Sequence, residues 1–183
     1  MKNGIGNPLV RLVASNGIVA ALYVVLTLVT LPVSYSYMQF RLSELLNLLV
    51  FFNPWYTVGL TVGCLLANLF STVGAIDIVL GTAATLASCL IVIVLSRFVK
   101  SLFISGIVPC LVNAAVVPFI IYIAANFDME FTASIYFVMF GWVFLGEFLA
   151  ILCVGYPLFM ILGRTHPGFM KMILASRNKD FKW

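Results

Sequence analysis

Charge is what this sequence most lacks. Only 9% of its 183 residues are charged, and 63% are hydrophobic, whereas a soluble domain carries about 25% charged residues. So short a chain cannot bury that much apolar surface in a core facing water, so lipid must solvate much of it. Histidine is nearly absent: His166 stands alone beside Pro167, with no acidic or cysteine neighbour. The four cysteines, Cys64, Cys89, Cys110 and Cys153, are far apart, each inside an apolar run, with no Cys-x-x-Cys. Disulfides, structural zinc and other metal sites are therefore not expected, and the cysteines read as small buried apolar residues. The P-loop pattern G-x-x-x-x-G-K-[ST] is missing, as are His-Glu-x-x-His and any Ser/His/Asp set. A P-loop ATPase is excluded, intramembrane catalysis is disfavoured, and no cofactor is expected. There is no internal repeat and no inverted pair of broken helices of the kind secondary transporters carry.

What is present is a series of long apolar runs. They predict an all-α integral membrane protein, one domain over residues 1–183, with spans at about 10–31, 36–52, 55–72, 77–96, 102–125 and 133–163. The first run is too long for a signal-peptide core and ends in Leu31-Pro-Val-Ser-Tyr35 without a small-residue cleavage site, so it reads as a span. The second is the short one. Its apolar part reaches only about 18 Å as a helix, and it approaches bilayer thickness only by starting near Tyr35 and taking in Arg41 and Glu44. Charge placement supports its inclusion. With six spans and both termini in the cytoplasm, nine of the ten basic residues fall inside (Lys2, Arg11, Arg97, Lys100, Arg164, Lys171, Arg177, Lys179 and Lys182). Arg41, Glu44, Asp77, Asp128 and Glu130 fall outside, a positive-inside pattern. The basic tail, 164–183, reads either as an amphipathic helix on the inner leaflet or as a disordered segment. Topology accounts for the net charge of +4, so nucleic acid is not an expected partner.

Against this background each intramembrane polar residue carries weight. Glu147 lies near the middle of the otherwise uncharged run 131–163. A carboxylate at that depth costs about 2.5 kcal/mol or more, so it marks a site for a ligand, an ion or a proton unless it is protonated and bonded to another helix. Asp77, Gly81, Ala84, Thr85 and Ser88 recur at spacings of three and four, a polar, small-residue stripe that must face protein or a cavity. Asn113 is mid-span, and Asn68 with Ser71 reaches the layer of Asp77. Arg41 and Glu44 stand at i, i+3: either a self-satisfied interfacial pair, or Arg41 organises the loop while Glu44 faces a cavity. Tyr35, Tyr37, Met38 and Phe40 precede them, as an interfacial belt or as a lid over a planar ligand. Glu44, Asn68, Asp77, Asn113 and Glu147 come from five spans, all in the middle or outer half of the membrane. Their convergence predicts an outward-open polar cavity with more acids than bases, suited to a cation or a ligand rich in N–H donors. Two small-residue stripes allow close helix approach: Gly59-x3-Gly63-x3-Ala67, read chiefly as packing within the subunit, and Gly17-x3-Ala21 toward the cytoplasmic side. At 183 residues, without ATPase motifs, the chain is expected to work within a larger assembly.

The segments Gln39-Phe-Arg-Leu-Ser-Glu44, Gly63-Cys-Leu-Leu-Ala-Asn68, Asp77-Ile-Val-Leu-Gly-Thr-Ala-Ala-Thr85, Val112-Asn-Ala-Ala115, Leu145-Gly-Glu147 and Gly155-Tyr-Pro157 together resemble the QueT family of substrate-binding (S) components of energy-coupling factor (ECF) transporters. The resemblance runs from the first span to Gly163. It implies a six-helix S-component bundle in the bacterial cytoplasmic membrane that captures a micronutrient outside. Its partners would be a transmembrane T component and two ATP-binding subunits, which hydrolyse ATP for it. It implies a queuosine precursor as substrate, a 7-deazaguanine such as preQ1, preQ0 or queuine. It also places T-component docking on Gly17 and Ala21, where the family's A-x-x-x-A keeps its small character but changes one residue. On that reading Glu147 takes the N1/N2 edge of the base, Asn113 or Asn68 contacts O6, and Asp77 or Glu44 faces a cationic arm. Arg41 and Thr85 border the site, and aromatics near Tyr37 or Trp142 stack on the ring. The competing readings are an S component for another vitamin or heterocycle, a small secondary transporter driven by protons through Glu147, and an assembly subunit without a ligand.

Overall fold

The computed structural model describes residues 8–34, 39–124, 131–166 and 168. Among these residues the chain is helical and has no strand. We number its main helices α1 (Pro8–Val29), α2 (Leu42–Phe52), α3 (Tyr56–Asn68), α4 (Asp77–Leu95), α5 (Leu102–Ala124) and α6 (Ala133–Thr165). A short helical turn, Leu31–Ser34, follows α1. Four of the helices, α1, α4, α5 and α6, are long and apolar enough to cross a membrane, while α2 and α3 are shorter apolar helices. The chain is thus a multi-pass membrane protein by its helices.

The second run, expected over 36–52, is helical over a shorter stretch. Gln39, Phe40 and Arg41 are not helical; α2 begins at Leu42 as a 3-10 helix to Asn47 and continues as α-helix over Leu48–Phe52. Its length is about 20 Å, short of the ~30 Å hydrocarbon layer. The reason it need not match the bilayer is burial. From Leu45 to Phe52 every hydrophobic side chain is buried, with Leu48, Val50, Phe51 and Phe52 at 1% exposure or less. A helix apolar on all sides belongs inside a bundle, and α2 is the centre around which the long helices pack. Leu45 presses on Gly155 of α6, where even a Cβ would come within 2.7 Å of the Leu45 side chain.

Lipid tails are as apolar as leucine, so burial from water does not hold these helices together; close packing and interhelical hydrogen bonds do. The contact of α1 with α3 shows both. A Cβ on Gly63 would meet Tyr23 Cβ at 2.8 Å and the Ala20 carbonyl at 2.9 Å, and one on Gly59 would meet the Asn16 carbonyl at 2.6 Å. The Asn16 side chain accepts a hydrogen bond from the Gly59 N–H at 2.7 Å. The Gly59/Gly63/Ala67 stripe is therefore internal packing, as its spacing suggested. The Gly17/Ala21 stripe on the same α1 is not: both residues are exposed, and nothing lies within 4 Å of a Cβ on Gly17.

Two helices contain π-helical turns. Residues Asp77–Gly81 open α4 as π-helix, and Leu149–Gly155 interrupt α6. Such turns are rare and concentrate at functional sites; here one carries Asp77 and the other starts two residues after Glu147. Pro109 and Pro118 sit inside α5, on either side of Asn113. The polar stripe of α4 is buried as expected, with Asp77, Ala84, Thr85 and Ser88 at 3% exposure or less. Cys64, Cys89 and Cys110 are buried, but Cys153 is exposed on α6, a correction to its reading as a core residue.

Candidate functional site

Six helices deliver polar side chains to one region, in two adjoining clusters. The first is built around Arg41. As the extended residue that precedes α2 (φ −102°, ψ 104°), Arg41 is outside the helix and free to reach across the bundle. Its Nη2 meets Asp77 Oδ2 at 3.0 Å, its Nη1 donates to Asn68 Oδ1 at 3.1 Å, and its Nε donates to the Ser34 carbonyl at 3.2 Å. Asp77 Oδ2 also accepts from Ser71 Oγ at 2.6 Å, while Asn68 Nδ2 donates to the Asp77 carbonyl at 3.0 Å. Asn68 also donates to Cys64 Sγ at 3.4 Å, and Cys64 lies 3.2 Å from Thr85 Oγ1. Gly81 makes room for this arrangement, since a Cβ there would fall 2.6 Å from Asp77 Oδ1 and 2.9 Å from Asn68 Nδ2. The guanidinium of Arg41 reaches Asp77 on α4 and ties down the chain ahead of α2, while Glu44 accepts hydrogen bonds from other residues. A buried charge pair of this kind needs its extra hydrogen bonds to offset desolvation, and here it has them.

The second cluster is acidic. Glu44 accepts from the hydroxyl of Tyr23 on one oxygen and from the Asn47 amide on the other. Beside it Thr27 donates to Ser43 at 2.7 Å. On the facing helices Asn113 Nδ2 donates to Glu147 Oε1 at 2.9 Å. Asn113 faces Glu44 as well, and the two glutamates lie within electrostatic reach of each other. Glu147 is 1% exposed, yet its Oε2 has no hydrogen-bond partner. A buried carboxylate oxygen left without a donor costs far more than one that is paired, so its persistence needs an explanation beyond packing.

Glu44, Asn68, Asp77, Asn113, Glu147, Arg41 and Thr85 are thus brought together. They do not line a cavity open to solvent: all are 5% exposed or less, because they are mutually paired and roofed by the surrounding helices. An apolar cavity of about 250 Å³ lies elsewhere, between α1, α2 and the end of α6, lined by Ile18, Leu22, Leu49, Tyr56, Phe159 and Leu162 among others. Trp142 is not brought to the cluster; it is about half exposed, and its position five residues before Glu147 puts it roughly 140° around the helix from that carboxylate. Phe140, Phe144 and Phe148 form a ladder of rings on α6 at centroid separations of 6.3 and 6.0 Å, and Phe144 packs with the Val143 and Ala114 cluster next to Asn113. Tyr37 lies outside the described residues, as does most of the basic tail.

Several members of the site carry no obvious mark in the sequence. Tyr23 is fully buried on α1 and read there as one more aromatic in an apolar run; its position four residues before Thr27, on one helical face, was the available signal. Asn47 follows Glu44 by three residues within a helical segment, a spacing that does predict their hydrogen bond. Gln39 is buried, adopts a left-handed backbone (φ 51°), and leaves its side-chain oxygen without a partner. A left-handed non-glycine residue stores strain, a feature that collects at ligand sites.

Residues 13–164 match the family described as QueT transporter. The chain belongs to the QueT transporter family. It is 34% identical over 140 residues to a protein of Lactococcus lactis subsp. cremoris (strain MG1363) named queuosine precursor transporter QueT, a match that covers 72% of this chain and 80% of the relative. The match to the QueT family takes in every residue of both polar clusters and excludes the basic tail beyond 164. No solved structure matches the chain.

Proposed function

We propose that this QueT-family protein is the substrate-capturing S component of an ECF importer in the bacterial cytoplasmic membrane, and that its ligand is a queuosine precursor of the 7-deazaguanine class. The observation that carries the binding reading is the oxygen of Glu147 that is buried and unpartnered inside a polar region built by six helices. A deazaguanine offers N1–H and an exocyclic amine on one edge, two donors that a carboxylate accepts together, while its O6 needs an N–H such as that of Asn113. Asn68 and Asp77 are already committed to Arg41 and to each other, so Asn113 is the better amide for O6, and Glu44 the better acid for a cationic arm. The name of the Lactococcus relative supports the substrate class. The orientation with both termini in the cytoplasm rests on the distribution of basic residues.

The S-component reading draws on the exposed small-residue face of α1. Gly17 and Ala21 are open to lipid on a helix whose opposite face is packed against α3. Small residues on a lipid-facing stripe let another membrane helix approach closely, and docking to a T component is the use we assign to them. The test is mass spectrometry of small molecules released from denatured, detergent-purified protein, together with co-purification of a T component and two ATP-binding subunits from the native membrane. Release of a deazaguanine supports the ligand. A Gly17→Leu variant is expected to keep ligand and fold but to lose the co-purifying subunits. Retention of those subunits by the variant refutes the docking assignment.

A further inference from the structure

The cavity between α1, α2 and the end of α6 lies outside both polar clusters and has the form of a groove. Its floor is buried, made by Leu45, Leu46 and Leu49 of α2 with Phe159 of α6. Its rims, Ile18 and Leu22 on α1 and Leu158 on α6, are exposed. An apolar groove open on the side of a membrane-crossing bundle faces lipid. Helix α1 sets its length. Arg11, Ser15, Ile18 and Leu22 follow at spacings of four, three and four, so they share one stripe of the helix, and the last three line the groove. From Arg11 to Leu22 the helix rises about 16 Å, close to half of the ~30 Å hydrocarbon layer. The chemistry changes along that length. Ser15 and Tyr56, the first residue of α3, bring hydroxyls to the lining, and every other lining residue is a hydrocarbon. Beyond Ser15 on the same stripe stands Arg11, exposed and without an ion pair among the described residues. Arg164, also exposed, lies in the last turn of α6 at the same end of the bundle.

We propose that this groove binds an anionic phospholipid, with one acyl chain lying between α1 and α6 against α2 and the phosphate held by Arg11. A phospholipid carries the groove's own order of chemistry: hydrocarbon, then ester oxygens, then phosphate. The chain needs only apolar walls, the ester oxygens accept from hydroxyls, and a guanidinium suits the phosphate. A docked helix of another protein gives no reason for a cation at one leaflet's depth along the stripe. The end where α1 begins and α6 ends is the cytoplasmic one in the orientation proposed above, and that leaflet carries the anionic headgroups that attract basic residues. The chain rests on Leu45 and Leu46, which directly follow Glu44. An occupied groove therefore steadies the helix that carries that carboxylate. The lipid site is separate from the polar clusters and does not depend on the ligand proposed for them.

The test is native mass spectrometry of the full-length purified protein in detergent, with dioleoylphosphatidylglycerol and dioleoylphosphatidylcholine supplied at equal concentration. The two lipids share their chains and differ in headgroup charge. The expected result is a tightly held phospholipid, with the anionic one favoured about fivefold, the worth of roughly one basic residue at a membrane surface. That ratio needs no variant and so no assumption about folding. In Arg11→Gln, a change on the exposed surface, the ratio is expected to fall toward one while a lipid is still retained. Ile18→Trp fills the groove from its rim and is expected to abolish retention of both lipids. Val138→Trp, exposed on α6 and outside the groove, is expected to keep it. Equal retention of the two lipids by the wild type overturns the anionic headgroup. A preference unchanged in Arg11→Gln overturns the role of Arg11. Identical behaviour of the two tryptophan variants overturns the groove as the site. A wild type that holds no phospholipid but forms a dimer that Ile18→Trp dissolves makes the groove a protein interface and overturns the proposal.

Discussion

Glu147→Gln isolates the one oxygen on which the binding argument depends. The substitution is isosteric. It keeps Oε1, which accepts from Asn113 at 2.9 Å, and replaces the unpartnered Oε2 by an amide nitrogen. The folded protein therefore loses no recorded hydrogen bond and sheds a buried carboxyl, so its thermal midpoint in detergent is expected to stay level or rise. Ligand binding should respond in the opposite direction. A hydrogen bond to a charged group is worth about 1.5–3 kcal/mol. The carboxylate is assigned two ligand N–H groups, and the glutamine would point a donor at one of them. A loss of about 3 kcal/mol is the conservative expectation, or a dissociation constant weakened by about 100-fold. Isothermal titration with the deazaguanine reads it directly. A stable variant with affinity within threefold of the wild type would refute the assignment, whatever else the cluster does.

Other expectations follow from particular contacts. Asn113→Ala leaves Glu147 Oε1 without its donor in a buried site, which costs about 1–3 kcal/mol and should lower both the thermal midpoint and the affinity. Arg41→Gln and Asp77→Asn each strand a buried charge, at a cost of about 3–5 kcal/mol; the double variant is expected to be more stable than either single one, and a double-mutant cycle on thermal unfolding that shows simple additivity would contradict the pair. Gly63→Ala forces α1 and α3 apart at backbone atoms that cannot move independently, with an overpacking cost of about 1–3 kcal/mol, whereas Gly17→Ala on the open stripe should leave the thermal midpoint unchanged.

The resemblance in six short segments pointed to the family that the match over 13–164 establishes. The helical class and the long membrane-crossing helices were equally legible, because lipid as a solvent imposes a length and a composition that a sequence shows directly. The buried stripe of α4 could be read from spacing alone, as could the internal role of Gly59 and Gly63. The half-exposed position of Trp142 could not be read ahead, because a rich aromatic run gives no angular reference; the packed neighbours Val143 and Gly146 show which side of α6 faces inward. The second run, expected over 36–52, is helical only from Leu42 to Phe52, a difference with a related cause. A segment wrapped by other helices on every side is released from the bilayer's dimensions, and a composition cannot tell lipid from protein as the apolar surround.

The sequence by itself determined which residues are expensive. Glu44, Asp77, Asn113 and Glu147 stand out in apolar runs because hydrocarbon offers them no water, and that holds in any arrangement of the helices. Tertiary structure decided how the expense is met. It sent Arg41 from its neighbour Glu44 to Asp77 on α4, brought Tyr23 from α1 to Glu44, and set Asn113 of α5 on one oxygen of Glu147. Those pairings join positions 21 to 36 residues apart, beyond any helical periodicity, so only the packing of the helices against one another could choose them. The same packing left Glu147 Oε2 without a donor.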